Sequence, residues 1–207
     1  MIRAVLFDLD GTLLDTGPLI LASFRHALGS GLDVERDILP HFGEPLRDTL
    51  RRLQPDRVEE LVSTYRAFNL EHHDEMVRAF PGAGAALAAL RSAGIARAVV
   101  TSKMHATAER GLRVCGLDHL VEAVVGLDDV AVVKPDPAPL LRALDELGCT
   151  PAEAAMVGDT PADMGAAVAA GCWAIAVGWS TFSGERLREA GALHVLGSFA
   201  ELPRLVC

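Results

Sequence analysis

Short apolar runs alternate with amphipathic segments along most of this chain of 207 residues. An apolar run of about four to eight residues that ends at glycine or at polar residues is typical of a buried strand. One such run begins at residue 4 and ends at Asp8 and Asp10, and others occupy 95–100, 121–125, 154–157, 173–177 and 193–196. The pattern predicts a strand at each of these places.

Between these runs, apolar residues recur with the spacing of an amphipathic helix. Helices are predicted over 83–92, 104–114, 139–147, 161–170 and 185–190. Thr150 and Glu153 have the spacing of a capping box, with Pro151 at the first helical position, which predicts a further helix start. Strands that alternate with helices indicate βαβ units. The predicted fold class is therefore α/β with a parallel sheet.

The segment 17–80 shows helical periodicity without a convincing strand. Two sets of residues follow a helical spacing: an apolar stripe at Leu19, Ile20, Phe24, Ala27 and Leu28, and a second set at Val58, Leu61, Val62, Tyr65, Phe68 and Asn69. Glycine and proline punctuate both ends of the segment, at 15–18 and 80–82. The sequence predicts a small α-helical cap at 17–80, joined by two hinges to a core formed by 1–16 and 81–207.

Two carboxylates follow the first predicted strand, one residue apart. Side chains two positions apart in a strand share a face, so Asp8 and Asp10 can approach one cation and one phosphate. Open α/β sheets bind ligands at the carboxyl ends of their strands. Acidic residues also occur in ordinary turns, which is the alternative. Because two carboxylates this close repel each other, a divalent cation, Mg²⁺, is expected beside them.

Polar residues also follow the other predicted strands. The strand at 95–100 ends in Thr101, Ser102 and Lys103, and the strand at 154–157 is followed by Asp159 and Asp163. Lys134 lies between an apolar segment and two prolines. Lys103 and Lys134 are the two lysines among 19 basic residues, and a compact ammonium suits a site where one charge must reach a phosphate and a carboxylate.

In this order, the motifs resemble the four motifs of the haloacid dehalogenase superfamily, and the resemblance covers essentially the whole chain. It implies a Rossmann-like core, a magnesium cofactor and an aspartyl-phosphate intermediate. The segments 39–46, 65–69, 72–74 and 101–103 are similar to the inorganic pyrophosphatases of Gram-positive bacteria. The phosphoglycolate phosphatases are nearly as similar. A small phosphorylated substrate is therefore expected.

The residue types suggest a role for each motif. Asp8 is expected to attack phosphorus as the nucleophile, and Asp10 to act as general acid and base. The loop that includes Gly11 and Thr12 is expected to bind the phosphoryl oxygens. Further phosphate contacts are expected from Thr101 or Ser102, Lys103 and Lys134. The expected metal ligands are Asp8, the Asp10 carbonyl, Asp159 and Asp163, the last either directly or through a metal-bound water.

Substrate choice is expected to depend on the cap. Arg47 is a candidate for binding a second anionic group, such as the distal phosphate of pyrophosphate. The alternative is a solvated arginine, which is favoured more strongly for Arg66. His72 and His73 diverge by about 100° on a helix, so they are expected on a polar face rather than on one metal.

Composition excludes several function classes. The net charge is −9 without a basic run, which argues against nucleic acid as a partner. No apolar stretch approaches the roughly 20 residues of a membrane helix, so a cytoplasmic protein is expected. The four scattered cysteines suggest neither a zinc site nor a disulfide framework. The sequence does not indicate an oligomeric state.

Other activities of the superfamily fit less well. Dehalogenation does not need a second acid such as Asp10, and cleavage of phosphonates through a Schiff base needs a lysine that the cap lacks. A sugar phosphomutase and a regulatory protein without turnover remain open. The expected activity is hydrolysis of inorganic pyrophosphate, with 2-phosphoglycolate as the second candidate.

Overall fold

A parallel six-stranded sheet forms the centre of the protein, in the order β5-β4-β1-β6-β7-β8. The computed structural model describes residues 1–29, 31 and 33–207. Its strands are β1 Ala4–Phe7, β2 Leu14–Asp15, β3 Arg78–Ala79, β4 Ala96–Val100, β5 Ala123–Val125, β6 Ala154–Gly158, β7 Trp173–Val177 and β8 His194–Leu196. The prediction of an α/β fold with a parallel sheet is confirmed.

Helices cover both faces of the sheet and form the segment between β2 and β3. They are α1 Gly17–Leu28, α2 Val34–Asp37, α3 Leu46–Leu53, α4 Val58–Met76, α5 Ala83–Ser92, α6 His105–Val114, α7 Ala138–Leu147, α8 Pro161–Ala170, α9 Gly184–Glu189 and α10 Leu202–Val206. The sequence predicted α5 and α8 residue for residue. The predicted helix start at Thr150 is instead a single 3₁₀ turn, Pro151–Glu153, because β6 begins at the next residue.

Alternation along β1 divides the apolar residues between the two faces of the sheet. Val5 and Phe7 pack into the cluster that includes Leu87 of α5, while Leu6 packs into the cluster that includes Leu144 of α7. All four residues of β1 are buried, because the strand pairs with β4 on one side and β6 on the other. Because β1 lies between β4 and β6, the residues that follow it emerge near the middle of the carboxyl edge of the sheet.

The segment between β2 and β3 has a small apolar cluster of its own. Phe24 of α1, Leu50 of α3 and Leu61 and Tyr65 of α4 are buried in it. Two short antiparallel strands, β2 and β3, lie where this segment leaves and rejoins the rest of the chain. Because they are only two residues long, they have no readable periodicity, and the sequence did not predict β3. Ser30 and Leu32, inside the predicted cap, lie outside the described residues.

Two expectations from composition can be compared with the described ranges 1–29, 31 and 33–207. No helix there is long and apolar enough to cross a membrane. Cys115, Cys149, Cys172 and Cys207 are all free thiols.

His73 is buried, which contradicts the expectation of a polar face. Its side chain has no exposure, and its Nδ1 lies 2.9 Å from Asp74 Oδ1. The ring packs where α4 meets α6: a Cβ added to Gly111 would lie 3.7 Å from His73 Cε1. Burial, more than any other effect, lowers the pKa of His73 below its ordinary value of 6.5. The sequence did not reveal this burial, because the covering element belongs to a distant part of the chain.

His73→Asn is expected to reduce acid destabilisation. At pH values between the lowered pKa of His73 and 6.5, the unfolded chain binds a proton at this residue that the folded chain does not. The free energy of unfolding therefore falls as the pH drops below 6.5. The check is Tm between about pH 7.5 and pH 5.5. The variant should lose less Tm over this range than the wild type, whereas exposed His119→Asn should not differ. If Tm fell equally with pH in the wild type and in both variants, the result would contradict a neutral, buried His73.

Candidate active site

A cleft of about 360 Å³ lies between the carboxyl edge of the sheet and the helices that follow β2. The core side of the cleft is polar and includes Asp8, Asp10, Thr101, Lys134 and Asp159. The other side is largely apolar and includes Ile20, Phe24, Ile38, Phe42 and Leu46. The chain order predicted the polar side, because Asp8, Asp10, Thr101 and Asp159 closely follow strands and Lys134 lies in the loop between β5 and α7.

Lys134 is the centre of the buried polar cluster. Its Nζ lies 2.6 Å from Asp8 Oδ1 and 2.6 Å from Asp163 Oδ1, and it donates to the Val100 carbonyl at 2.9 Å. All three ammonium protons therefore have acceptors. Burial alone would lower the pKa of Lys134, but the charges of Asp163 and Asp8 outweigh it and the net shift is upward. Lys134 is thus a permanent cation beside the proposed nucleophile.

Three carboxylates meet beside this lysine. Ligand atoms of Asp8, Asp159 and Asp163 all lie within 4.8 Å of one another. Burial, opposed by Lys134, raises the pKa of Asp8 to about 7, and burial also raises the pKa of Asp159 well above its ordinary value. One ammonium does not balance three carboxylates, so the cluster fits a divalent cation.

Two glycines provide the room that this cluster needs. A Cβ at Gly11 would lie 2.3 Å from Asp159 Oδ2, and a Cβ at Gly158 would lie 2.4 Å from Asp163 Cβ. Gly11 also has a φ of +84°, which side chains rarely adopt. A set of hard carboxylate oxygens held this closely suits magnesium or a similar ion.

Asp163 has a more specific position than the sequence indicated. Its Oδ1 contacts Lys134, and its Oδ2 accepts from Thr160 N at 3.0 Å and from Thr160 Oγ1 at 2.7 Å. Both oxygens are thus engaged by the protein at the start of α8. Of the two predicted modes, this arrangement favours orientation of a metal-bound water over direct ligation.

Asp10 lies apart from this cluster. Its Oδ1 accepts from Lys103 Nζ at 2.7 Å, and both residues line the cleft. Thr101 and Ser102 also line the cleft, and Thr101 Oγ1 accepts from Lys103 N at 3.2 Å. The predicted residues of this loop therefore all line the cleft, and Lys103 contacts Asp10.

Two residues predicted to bind phosphate have other partners. The Thr12 hydroxyl is buried and donates to Asp159 Oδ1 at 3.1 Å, so it orients that carboxylate. The Gly11 amide donates to the Leu14 carbonyl at 2.9 Å, so it is not free to bind phosphate. Gly11 does line the cleft, and a side chain at this position would collide with Asp159. Sequence alone could not show these tertiary contacts.

Arg47 and Arg66, the two arginines considered for substrate binding, have different surroundings. Arg47 is not among the cleft-lining residues, and its guanidinium pairs with Glu59 of α4, with both side chains largely exposed. Arg66 of α4 does line the cleft. The two arginines belong to different helices, and the way these helices pack decides which one reaches the cleft.

Sequence reasoning missed other residues that line the cleft. Tyr65 and Asn69 lie one turn apart on α4, and Asn69 Nδ2 donates to Ser23 Oγ at 3.1 Å. An amide within an apolar helical stripe is an available signal of such a buried contact. Trp179 contacts Phe199, with ring centroids 4.8 Å apart, and also lines the cleft.

Known proteins share this fold and chain order. The family model of haloacid dehalogenase-like hydrolases matches residues 5–177. Pyrophosphatase PpaX of Halalkalibacterium halodurans is 39% identical over 208 residues, which cover 99% of this chain and 97% of that protein. Pyrophosphatase PpaX of Bacillus velezensis is 39% identical over 97% of this chain and 94% of its own length.

Solved structures agree with these sequence matches. A Bacteroides fragilis chain assigned to the haloacid dehalogenase-like hydrolases has a TM-score of 0.91 at 26% identity, over 98% of this chain and 100% of that chain. A hydrolase from Pseudomonas syringae has a TM-score of 0.86 at 26% identity, over 98% and 97% of the two chains. This chain therefore belongs to the haloacid dehalogenase-like hydrolase family and is a phosphatase of that family.

Proposed function

We propose that this phosphatase hydrolyses inorganic pyrophosphate with Mg²⁺, through an aspartyl phosphate on Asp8. The observation that carries the choice of substrate is the likeness to pyrophosphatases PpaX, at 39% identity over 99% of this chain. The cytoplasmic location expected from the sequence is part of this proposal, as is the division into a core at 1–16 and 81–207 and a cap at 17–80.

Asp8 is suited to in-line attack on phosphorus. Lys134 holds Oδ1, which leaves Oδ2 for the bond to phosphorus while the bond to the leaving phosphate breaks. Asp10, two residues on, donates a proton to the leaving oxygen and then accepts one from the water that hydrolyses the aspartyl phosphate. A bound Mg²⁺ would be held by Asp8, Asp159 and the Asp10 carbonyl, and would neutralise charge on the transferred group.

The leaving phosphate of pyrophosphate is itself an anion, and the cleft offers cations for it. Lys103 reaches Asp10 from the core side, and Arg66 lines the cleft from α4. We propose that these two residues bind the leaving group, while Lys134 binds the transferred phosphoryl group together with Thr101 or Ser102. Charge-assisted contacts of this kind favour anionic leaving groups over neutral ones.

Phosphate release from several substrates tests the proposed function. Pyrophosphate, 2-phosphoglycolate and sugar phosphates are compared by kcat/KM with Mg²⁺, and Asp8→Asn serves as the blank. We expect pyrophosphate to be preferred by about tenfold or more over the sugar phosphates, whose leaving groups are neutral, which is the advantage of one well-placed ionic contact. A preference for 2-phosphoglycolate would replace the substrate but keep the mechanism. Absence of release from all compounds would overturn the proposal.

Arg66→Gln is expected to raise KM for pyrophosphate about tenfold, because one charge-assisted contact to the leaving group is lost. Arg47→Gln should change KM less than about twofold, because exposed pairs such as Arg47 with Glu59 contribute little. Steady-state kinetics on both variants provides the comparison. A larger effect at Arg47 would restore the sequence-based assignment and remove Arg66 from the site.

The apolar wall favours a second candidate. Phe24, Ile38, Phe42 and Trp179 line the same cleft, and its volume of about 360 Å³ leaves room for an organic leaving group. An organic phosphomonoester would bring carbon atoms against this wall, whereas pyrophosphate has none; 2-phosphoglycolate, with one CH2 group and a carboxylate, would use the wall only in part. A phosphomutase remains a weaker alternative, which stimulation by a sugar bisphosphate would reveal.

A further inference from the structure

The loop between β4 and α6 is fixed to the loop after β5 by a set of hydrogen bonds that the catalytic proposal does not use. Thr101 N donates to the Val125 carbonyl at 2.9 Å, and Leu127 N donates to the Lys103 carbonyl at 2.8 Å. Both loops line the cleft, through Lys103 on one and Leu127 on the other. The position of Lys103 therefore depends on the loop after β5.

His105 lies at the centre of this junction. Its Nδ1 is 2.6 Å from Asp129 Oδ2, which also accepts from Gly126 N at 2.7 Å. The His105 amide donates to Asp128 Oδ1 at 2.7 Å. The backbones meet so closely that a Cβ at Gly126 would lie 2.5 Å from His105 N. One carboxylate thus joins the imidazole to the backbone of the opposite loop.

We propose that His105 and Asp129 are positioning residues that hold the Lys103 ammonium in place for the leaving group. His105 begins α6 two residues after Lys103, so a shift of its ring moves the backbone that carries Lys103. Lys103 Nζ in turn lies 2.7 Å from Asp10 Oδ1, so a small displacement breaks that contact. The inference rests on the proposed role of Lys103 in the reaction.

The charged groups around His105 also favour its role in joining the two loops. Asp128 and Asp129 face it from the neighbouring loop, Glu109 Oε1 lies 3.6 Å from its Nε2 on α6, and Arg142 of α7 acts on Asp129. The hydrogen bond to Asp129, ahead of the nearby carboxylate charges, raises the pKa of His105. A cationic imidazole therefore joins the two loops below that pKa.

A double-mutant cycle with Lys103 tests the proposal. We expect His105→Ala to lower kcat/KM for pyrophosphate about tenfold in the wild type, but less than about twofold in a Lys103→Met background, because coupled residues are not additive. His105→Asn places an amide N–H near the position of Nδ1 and should recover most of the activity. His194→Ala is the matched control, since His194 pairs with Glu201 at 3.6 Å on β8.

The outcomes separate this inference from the proposed function. An unchanged kcat/KM in Lys103→Met would refute the leaving-group role of Lys103, and the inference with it. A loss in Lys103→Met without a loss in His105→Ala would overturn the inference alone. Equal losses from His105→Ala in both backgrounds, or a lower Tm with unchanged kcat/KM, would show that His105 only stabilises the fold.

Discussion

Asp8→Asn is expected to abolish phosphate release, with a loss on the order of 10⁴-fold or more, as for removal of a catalytic nucleophile. The amide keeps the shape of the side chain but cannot form the acyl phosphate at a useful rate. Initial rates with pyrophosphate and Mg²⁺ provide the measurement, and Asp56→Asn on the exposed surface is the control. Normal turnover in Asp8→Asn would contradict the assignment of Asp8 as the nucleophile.

The same variant should not lose stability, which separates chemistry from folding. Asp8 is one of three buried carboxylates beside a single lysine, and its pKa is raised to about 7, mainly by burial. The folded state therefore holds the proton of Asp8 more tightly than the unfolded state does. Above about pH 7 the ionised Asp8 destabilises the fold, and this destabilisation decreases as the pH falls through 7.

Metal-free Asp8→Asn should therefore have a Tm at about pH 8 that equals or exceeds that of the wild type. Addition of Mg²⁺ should raise the Tm of the wild type more than that of the variant, because the variant has lost one charged ligand. A large fall in Tm would mean that the lost activity reflects unfolding. Equal Mg²⁺ shifts in both proteins would remove Asp8 from the metal site.

The part of the site on the core could be predicted from sequence for a physical reason. Asp8 and Asp159 directly follow β1 and β6, and parallel strands bring their carboxyl ends to one edge. Lys134 lies farther from a strand, in the loop between β5 and α7, and reaches the same edge. Asp8, Lys134 and Asp159 are consequently found together although they are far apart in the chain. Local periodicity was sufficient there, because the strands themselves supply the tertiary geometry.

The rest of the site depends on packing that no local pattern encodes. Arg47 lies on α3 and Arg66 on α4, and the packing of these helices places Arg66, but not Arg47, at the cleft. Thr12 follows the strand closely enough to suggest phosphate binding, yet its hydroxyl turns to Asp159. His73 is buried by α6, which begins more than 30 residues later. These contacts form between elements that are distant in sequence.

Lys134→Met is expected to lower the free energy of unfolding by about 3–5 kcal/mol in metal-free buffer, the cost of breaking a buried ion pair from one side. The change leaves Asp8 Oδ1, Asp163 Oδ1 and the Val100 carbonyl without their shared donor in a buried cluster. Equilibrium unfolding by urea at neutral pH measures the loss. The loss should shrink as pH falls, because the carboxyl groups can then take up protons.

Lys103→Met provides the matched control, because it removes the chain's other lysine from a more accessible ion pair. Lys103 and Asp10 side chains retain 13% and 23% exposure, against 5% and 10% for Lys134 and Asp8. Lys103→Met should therefore cost less than Lys134→Met, because its ion pair is less buried and involves one carboxylate rather than two. Mg²⁺ should recover part of the loss in Lys134→Met, since a cation at Asp8 and Asp159 replaces some of the missing positive charge. Equal losses in the two variants would show that the Lys134 cluster is solvated, and would remove the reason to expect a divalent cation there.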